Sequence, residues 1–288
     1  MNNSPEEGAL DAAALTEQTD RCRAHLLQRI RATQVGSRPF HHAFIEKVFP
    51  EDFYEAVSAH MLRCKYGNDV QDRPQDNPAF LNKRYSLNAD ASGVTETLRR
   101  LFSDEEVKRA LVGKFYARPT RELIDALTLH EEFEYVFTQA GRFQNIHVDI
   151  PPKYMSFVFY VPENPVPIDQ ETNNATILYD KSLVPHRSAR FVANSVCIFV
   201  PHFSSYHGFS STLDRDVLVM FLVDPLDLES WRAIRQETRD VPPFTGLLDA
   251  IEAKLRRHPL IEFGEDEAQI LSERSRCLVN APQGRVLR

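Results

Sequence analysis

The sequence of 288 residues contains few cysteines and no long apolar run. Its four cysteines, Cys22, Cys64, Cys197 and Cys277, are widely separated and form no CxxC pair. This spacing fits neither a thiolate metal site nor the disulfide framework of a small secreted domain. No apolar run approaches the roughly 20 residues that a membrane helix needs, and the polar N-terminus lacks a signal-peptide pattern. We therefore expect reduced cysteines, a cytoplasmic location and no membrane partner.

Basic residues are also in deficit. The chain has 34 Lys and Arg against 41 Asp and Glu, a formal net charge of −7. Proteins that bind nucleic acids usually present a basic surface, so we expect no nucleic-acid partner. Only 10 glycines accompany 42% hydrophobic residues, a composition typical of globular rather than fibrous or disordered proteins.

Helical patterns dominate the first part of the chain. A first helix is predicted from apolar residues that recur at nearly the helical period: Leu15, Cys22, Leu26 and Ile30. Residues 51–62 predict a second helix with an acidic first turn. Ser103 and Glu106 form a capping-box pattern at the start of another helix. The polar stretch 67–80, with two prolines, predicts a loop.

Beyond about residue 140 the pattern changes to strands. The predicted strands are short, rich in Val, Phe, Tyr and Ile, and lie within 154–162, 175–180, 188–201 and 215–225. Several are apolar on both faces, as expected of a strand that lies between a core and a second layer. Helical periodicity returns after about residue 226. This order predicts an α+β fold with a β-sandwich or barrel at its centre.

A candidate metal site begins in the sequence FQNIHVDIPP, residues 143–152. On an extended backbone, His147 and Asp149 point to the same face. Their burial is costly unless a metal ion or a hydrogen-bonded core partner satisfies them. His202 and His207, at the end of the apolar strand predicted within 188–201, offer a third ligand. Two histidines and one carboxylate are the ligands of non-haem Fe(II) oxygenases, while zinc or a structural ion is an alternative.

These residues resemble a known family. HVD at 147–149, HGF at 207–209 and Arg215, eight residues after His207, are similar to the motif of the 2-oxoglutarate-dependent Fe(II) dioxygenases, in particular the prolyl-hydroxylase-like branch. The resemblance implies a double-stranded β-helix (jelly-roll) core with flanking N- and C-terminal helices. It also implies oxidative decarboxylation of 2-oxoglutarate, coupled to oxidation of an unactivated C–H bond.

The resemblance assigns roles to individual residues. His147, Asp149 and His207 become the ligands of Fe(II), and Arg215 pairs with the far carboxylate of the co-substrate. An arginine that points into a barrel needs such a partner, and its planar fork suits bidentate contact; the alternative is a hairpin-turn arginine in water. His207 is favoured over His202 because it precedes a glycine and has the expected spacing to Arg215.

Two further residues are weaker candidates for binding the co-substrate. Alternation along the strand places Asn145 on the face of His147, and Tyr179 offers a hydroxyl group. For each, a purely structural role is at least as good an interpretation, since strand aromatics usually pack. The family's second co-substrate contact is often a tyrosine, but the sequence does not fix which one. His60, in a helical pattern, is interpreted as a surface or hydrogen-bonded core residue.

The expected activity is hydroxylation of a small metabolite of amino-acid or natural-product type, with dioxygen consumed and succinate and CO2 released. A carboxylate ligand at Asp149 favours hydroxylation over halogenation; desaturation, epoxidation and ring closure stay open. The rivals are a non-catalytic metal-binding jelly-roll or cupin-like binding protein, and a metal-dependent hydrolase or isomerase on the same barrel.

We expect a helical arm (1–36), an oxygenase domain (37–225) and a helical extension (226–288). The oligomeric state is not readable.

Overall fold

The computed structural model describes a chain of mixed helices and antiparallel strands. The residues described are 12–67, 71–72, 82–116, 129–149, 152–201 and 205–225. The four α-helices are α1 (Ala12–Ala32), α2 (Glu51–Tyr66), α3 (Gly93–Ser103) and α4 (Glu105–Phe115). Within the described part of the chain, no helix combines the length and the apolar character that crossing a membrane requires.

The strands form two antiparallel sheets. The larger sheet has seven strands, in the order β1 (His42–Glu46), β9 (Ser195–Phe199), β6 (Lys153–Tyr160), β11 (Arg215–Val223), β4 (His130–Thr138), β3 (Lys83–Ser86) and β2 (Gln71–Asp72). The smaller has four strands, in the order β5 (Phe143–His147), β10 (His207–Ser210), β7 (Ile177–Tyr179) and β8 (Pro185–Ser188). From β4 onward the chain passes repeatedly between the two sheets.

The larger sheet is covered on both faces, and β11 shows why. Leu218, Met220 and Leu222 belong to a cluster that the sheet shares with the helices. The alternate residues Val217 and Val219 belong to a second cluster, which includes Leu178 of the smaller sheet. Because successive side chains leave a strand on opposite faces, one strand serves two cores. The continuous apolar pattern of residues 215–225 reflects this burial on both sides.

Most predicted elements are confirmed. Helices cover the predicted N-terminal segment, residues 51–62 and the segment after Ser103, and strands overlap all four predicted ranges. The predicted α+β class, with helices and antiparallel sheets, is also confirmed. Helix α3 and strand β4 were not predicted. Most of the loop 67–80 and all of the helical extension 226–288 lie outside the described residues, and the division into an arm, a domain and an extension stays a prediction.

The predicted cap of helix α4 was wrong by one residue. Asp104, rather than Ser103, is the N-cap, and its side chain accepts a hydrogen bond from the backbone N–H of Val107. Ser103 ends α3, and its hydroxyl contacts Glu131 instead. Only Asp104 separates the end of α3 from the start of α4. Asp104 becomes the cap of α4, because an aspartate caps a helix as well as a serine does.

Phe102 fixes helix α3 to the larger sheet and generates a first prediction. Its ring is 1% exposed and lies 5.8–6.0 Å, between ring centroids, from Phe133, Phe157 and Phe159. The substitution Phe102→Ala should lower the free energy of unfolding by about 3–5 kcal/mol, because it removes a buried ring and leaves a cavity. Urea titration measures the loss. The control Ile168→Ala, at a residue that is 84% exposed, should change the free energy of unfolding by less than about 0.5 kcal/mol.

Candidate metal centre

The pairing of β5 with β10 joins two histidines that are 60 residues apart in sequence. His147 and His207 are direct cross-strand partners, and their ring centroids are 4.2 Å apart. Asp149 follows two residues after His147, just beyond the end of β5, and its Oδ2 lies 3.9 Å from Nε2 of His207. One ligand atom from each of the three side chains lies within 4.8 Å of the others. The structure therefore brings the three predicted ligands together.

His207 is oriented for binding a metal through Nε2. Its Nδ1 lies 2.9 Å from the backbone carbonyl of Ser205, so the tautomer with Nδ1 protonated donates there and leaves the Nε2 lone pair facing Asp149. Burial lowers the pKa of His207 to about 3, which keeps the ring neutral at ordinary pH. A neutral imidazole with its second nitrogen held by a carbonyl is the usual form of a histidine ligand.

Asp149 is held as a carboxylate by two neighbours. Lys153 Nζ lies 2.7 Å from Oδ1, and the Ser156 hydroxyl donates to Oδ2 at 2.6 Å. Burial alone would raise the pKa of Asp149, but the positive charge of Lys153 outweighs it, so the pKa lies well below its ordinary value. The ammonium group of Lys153 also lies 3.4 Å from the ring centroid of Phe221, which restricts where it can move.

A β-bulge changes which residue accompanies His147. The β5–β10 register shifts between the pair His207–His147 and the pair Phe209–Gln144. The strict alternation that placed Asn145 on the face of His147 is interrupted there. Gln144 takes that place, with its Nε2 3.1 Å from Nε2 of His147. The side chain of Asn145 lies outside what the structure describes, and His202 lies outside the described residues.

Arg215 is buried against β10, the strand of His207, without an acidic partner among the described residues. Its side chain is 3% exposed. Nε donates to the carbonyl of Asn174 and Nη2 to the hydroxyl of Thr176, both at 3.1 Å. The guanidinium carbon lies 3.9 Å from the ring centroid of Phe209, two residues after His207 on β10. Burial lowers the pKa of Arg215, yet a guanidinium stays charged in proteins, so the charge calls for an anion.

Tyr160 is a functional candidate that the sequence did not single out. Its ring centroid lies 5.5 Å from the guanidinium carbon of Arg215, and its hydroxyl donates to Thr176 Oγ1 at 2.8 Å. Burial raises the pKa of Tyr160 to about 12, so the phenol stays protonated. Tyr179, by contrast, is half-buried and follows Leu178, the cross-strand partner of His207. The β7–β8 register shifts between Leu178 and Tyr179, so alternation along β7 does not fix the face of this side chain.

The donor atoms fit a ferrous ion. Two imidazoles and one carboxylate on one side of an ion leave further positions open for small ligands, and this donor set suits Fe(II). The Ser205 carbonyl, which accepts from His207, and the Lys153 and Ser156 side chains, which donate to Asp149, supply the outer contacts that fix such ligands. The guanidinium of Arg215 packs on Phe209 of β10, the strand that also carries His207.

Comparison with known proteins gives the fold its context. No protein-family model and no curated protein matches the sequence. Among solved structures, a prolyl-4-hydroxylase of Pseudomonas putida superimposes with a TM-score of 0.51 at 13% identity, covering 70% of this chain and 98% of that one. The chain has the fold of the prolyl hydroxylases.

A second solved structure agrees with the first. A prolyl hydroxylase of Trichoplax adhaerens, solved in complex with a hypoxia inducible factor oxygen degradation domain peptide fragment, has a TM-score of 0.51 at 12% identity. The match covers 78% of this chain and 97% of that one. At this identity the likeness establishes the fold, and it confirms the resemblance to prolyl hydroxylases at that level.

The ion pair between Asp149 and Lys153 generates the second prediction. In protein freed of metal by a chelator, Asp149→Ala and Lys153→Ala should each lower the free energy of unfolding, because each leaves the other charge buried and unpaired. The double variant should lose about 1–3 kcal/mol less than the sum of the two single variants. Denaturant titration of all four proteins measures this interaction energy.

The exposed pair Arg31–Glu106 provides the matched control. Its atoms are 3.0 Å apart, but the side chains are 69% and 53% exposed, so its interaction energy should stay below about 1 kcal/mol. Equal values for the two pairs would show that the buried contact has no special part in holding Asp149.

Proposed function

We propose that this protein is a non-haem Fe(II)- and 2-oxoglutarate-dependent oxygenase that hydroxylates a small metabolite of amino-acid or natural-product type. The observation that carries the proposal is the convergence of His147, Asp149 and His207 next to the buried guanidinium of Arg215. A metal-binding protein without this co-substrate has no need of that buried cation. The names of the fold relatives, both prolyl hydroxylases, support hydroxylation as the reaction.

We further infer that the two sheets form a jelly-roll, or double-stranded β-helix. The strand orders β9-β6-β11-β4 and β5-β10-β7-β8 support this inference, since the eight strands from β4 to β11 are divided equally between two facing sheets. Residues 37–225 would then form the oxygenase domain, with 1–36 as an arm and 226–288 as an extension. We retain the proposal that the protein is cytoplasmic.

In the proposed enzyme, His147, Asp149 and His207 hold the iron, which supplies dioxygen activation when bound. One oxygen atom enters the substrate as a hydroxyl group, and the other enters succinate as 2-oxoglutarate loses CO2. Ser205 keeps the tautomer of His207, while Lys153 and Ser156 hold the Asp149 carboxylate. These contacts keep the ligands oriented without further rearrangement.

Arg215 would bind the far carboxylate of 2-oxoglutarate. Its contacts with Asn174 and Thr176 fix the plane of the guanidinium, and the rings of Phe209 and Tyr160 exclude water from it. In such surroundings a charge-assisted, bidentate contact is stronger than in water. Tyr160, protonated and adjacent, would serve as the second hydroxyl contact.

The earlier candidates Asn145 and Tyr179 remain weaker proposals for the same pocket. Two rival activities are a binding protein with a structural ion and a hydrolase or isomerase that ignores dioxygen. Both predict no binding of 2-oxoglutarate. The buried Arg215, which has no acidic partner in the described part of the chain, favours the oxygenase over either rival.

A third prediction tests the ligands. Under air, with Fe(II) and 2-oxoglutarate but no added substrate, the protein should release succinate slowly. His147→Ala and Asp149→Ala should each lower this rate by at least about a hundredfold, because loss of a ligand weakens iron binding at least as much as loss of an outer contact. Succinate is measured by chromatography. His130→Ala, an exposed histidine at the start of β4, is the control and should keep the parent rate.

A fourth prediction tests the co-substrate contact. Arg215→Met should raise the KM for 2-oxoglutarate at least about thirtyfold, because truncating a buried charge partner costs about 2–5 kcal/mol. Arg215→Lys should give a smaller increase, since it keeps the charge and loses the fork. Arg190→Met, at a side chain 52% exposed, should leave KM unchanged. A KM that is insensitive to Arg215→Met would refute the assigned role.

A further inference from the structure

A second cluster of metal-ligating side chains lies on the helical side of the larger sheet. His60 and Cys64 are four residues apart on α2, so they share one helix face. Asp90 lies in the connection between β3 and α3. His60 Nε2 lies 2.9 Å from Asp90 Oδ2 and 3.9 Å from Cys64 Sγ, and one ligand atom from each side chain lies within 4.8 Å of the others.

We propose that His60, Cys64 and Asp90 form a binding site for Zn²⁺, distinct from the candidate iron centre. All three side chains are buried: His60 is 6% and Cys64 9% exposed, and the side chain of Asp90 is 8% exposed. A thiolate and a carboxylate together neutralise the charge of the ion. A thiolate with an imidazole selects zinc over ferrous iron, and three protein ligands with one water complete a tetrahedral site.

The cluster has its own outer contacts. Nδ1 of His60 lies 2.9 Å from the hydroxyl of Tyr135; when Nδ1 carries the proton, the Nε2 lone pair faces Cys64 and Asp90. Oδ1 of Asp90 accepts a hydrogen bond from the backbone N–H of Ser92 at 2.7 Å, which leaves Oδ2 toward His60. Each of these two ligands is thus fixed through the atom that would not bind the metal.

Binding would replace protons by the metal. Zn²⁺ would displace the proton between His60 Nε2 and Asp90 Oδ2, which would move to Nδ1 of His60, and the Cys64 thiol would release its proton to solvent. No oxidation or reduction is involved. The ion would connect α2 with the segment that leads into α3, so we assign it a stabilising role that is independent of the proposed oxygenase activity.

The two centres lie on opposite faces of the larger sheet. Tyr135 is paired with Leu218 of β11, and both belong to the cluster shared with the helices. Ser156, which contacts Asp149, is paired with Phe221, which packs against the other cluster. The proposed zinc site is therefore not part of the iron centre.

Co²⁺ titration of the full-length, metal-free chain tests the proposal. A thiolate ligand to Co²⁺ produces an intense charge-transfer absorption in the near ultraviolet, and the candidate iron centre, which has no thiolate among its ligands, does not. We expect this band to saturate as Co²⁺ is added, to persist in Cys22→Ala and to be absent from Cys64→Ala. Cys22 is the matched control, because it is also a buried helical thiol. No band, or a band that survives Cys64→Ala, would overturn the proposal.

Zn²⁺ binding provides a second measurement that separates a lost ligand from a lost fold. Asp90→Asn keeps the side-chain volume, and it should weaken Zn²⁺ affinity at least about tenfold in competition with a chromophoric chelator. Zn²⁺ should raise the Tm of the parent and of Cys22→Ala by more than it raises that of Cys64→Ala, in which only the candidate iron centre is left to bind the ion. If Zn²⁺ affinity and the Zn²⁺-dependent rise in Tm are the same in all variants, the site does not exist.

Discussion

The antiparallel pairing of β5 with β10 is the constraint on which the candidate iron centre depends. It makes His147 and His207 direct partners, and Asp149 reaches the same point only because β5 ends beside them. A shift of one residue in this register would turn one histidine to the opposite face of the sheet. The bulge between the two histidines and Phe209 fixes the register, and it also brings Gln144 against His147. The ligand geometry is therefore a property of strand pairing more than of any single side chain.

Strand β11 keeps a positive and a negative side chain apart, so that the positive one stays available to bind an anion. Arg215 and Asp216 are neighbours in sequence, yet they leave the strand on opposite faces. Asp216 pairs with Lys65 of α2 at 2.8 Å, while Arg215 turns toward Tyr160 and Phe209. If the two had faced one another, they would have neutralised each other. Because Lys65 engages Asp216 on the helical side, the guanidinium on the inner side keeps its charge for a ligand.

The sequence identified residues that are marked by a motif. It did not identify residues whose position depends on how distant parts of the chain pack together. The spacing of His147, Asp149, His207 and Arg215 was enough to select the side chains that the fold brings together. Asn145 was placed by simple alternation, and since its side chain lies outside what the structure describes, that assignment stays a prediction. Tyr160 gave no signal, since one tyrosine in an apolar strand looks like any other. The cluster at His60 and Cys64 was overlooked because its third member, Asp90, is contributed by a distant connection.

Cys64 and Cys197 are buried on opposite faces of the larger sheet. Their positions make both cysteines compatible with the proposed oxidative chemistry. Cys197 lies in the inner cluster, and burial raises the pKa of its thiol far above its ordinary value. Since the thiolate is the form that oxidants attack, a protonated Cys197 resists oxidation despite its position. A thiolate at Cys64 would be far more reactive. Its position across the larger sheet, among helical side chains, separates it from the proposed oxygen-activating centre, and coordination to a redox-inactive ion would protect it further.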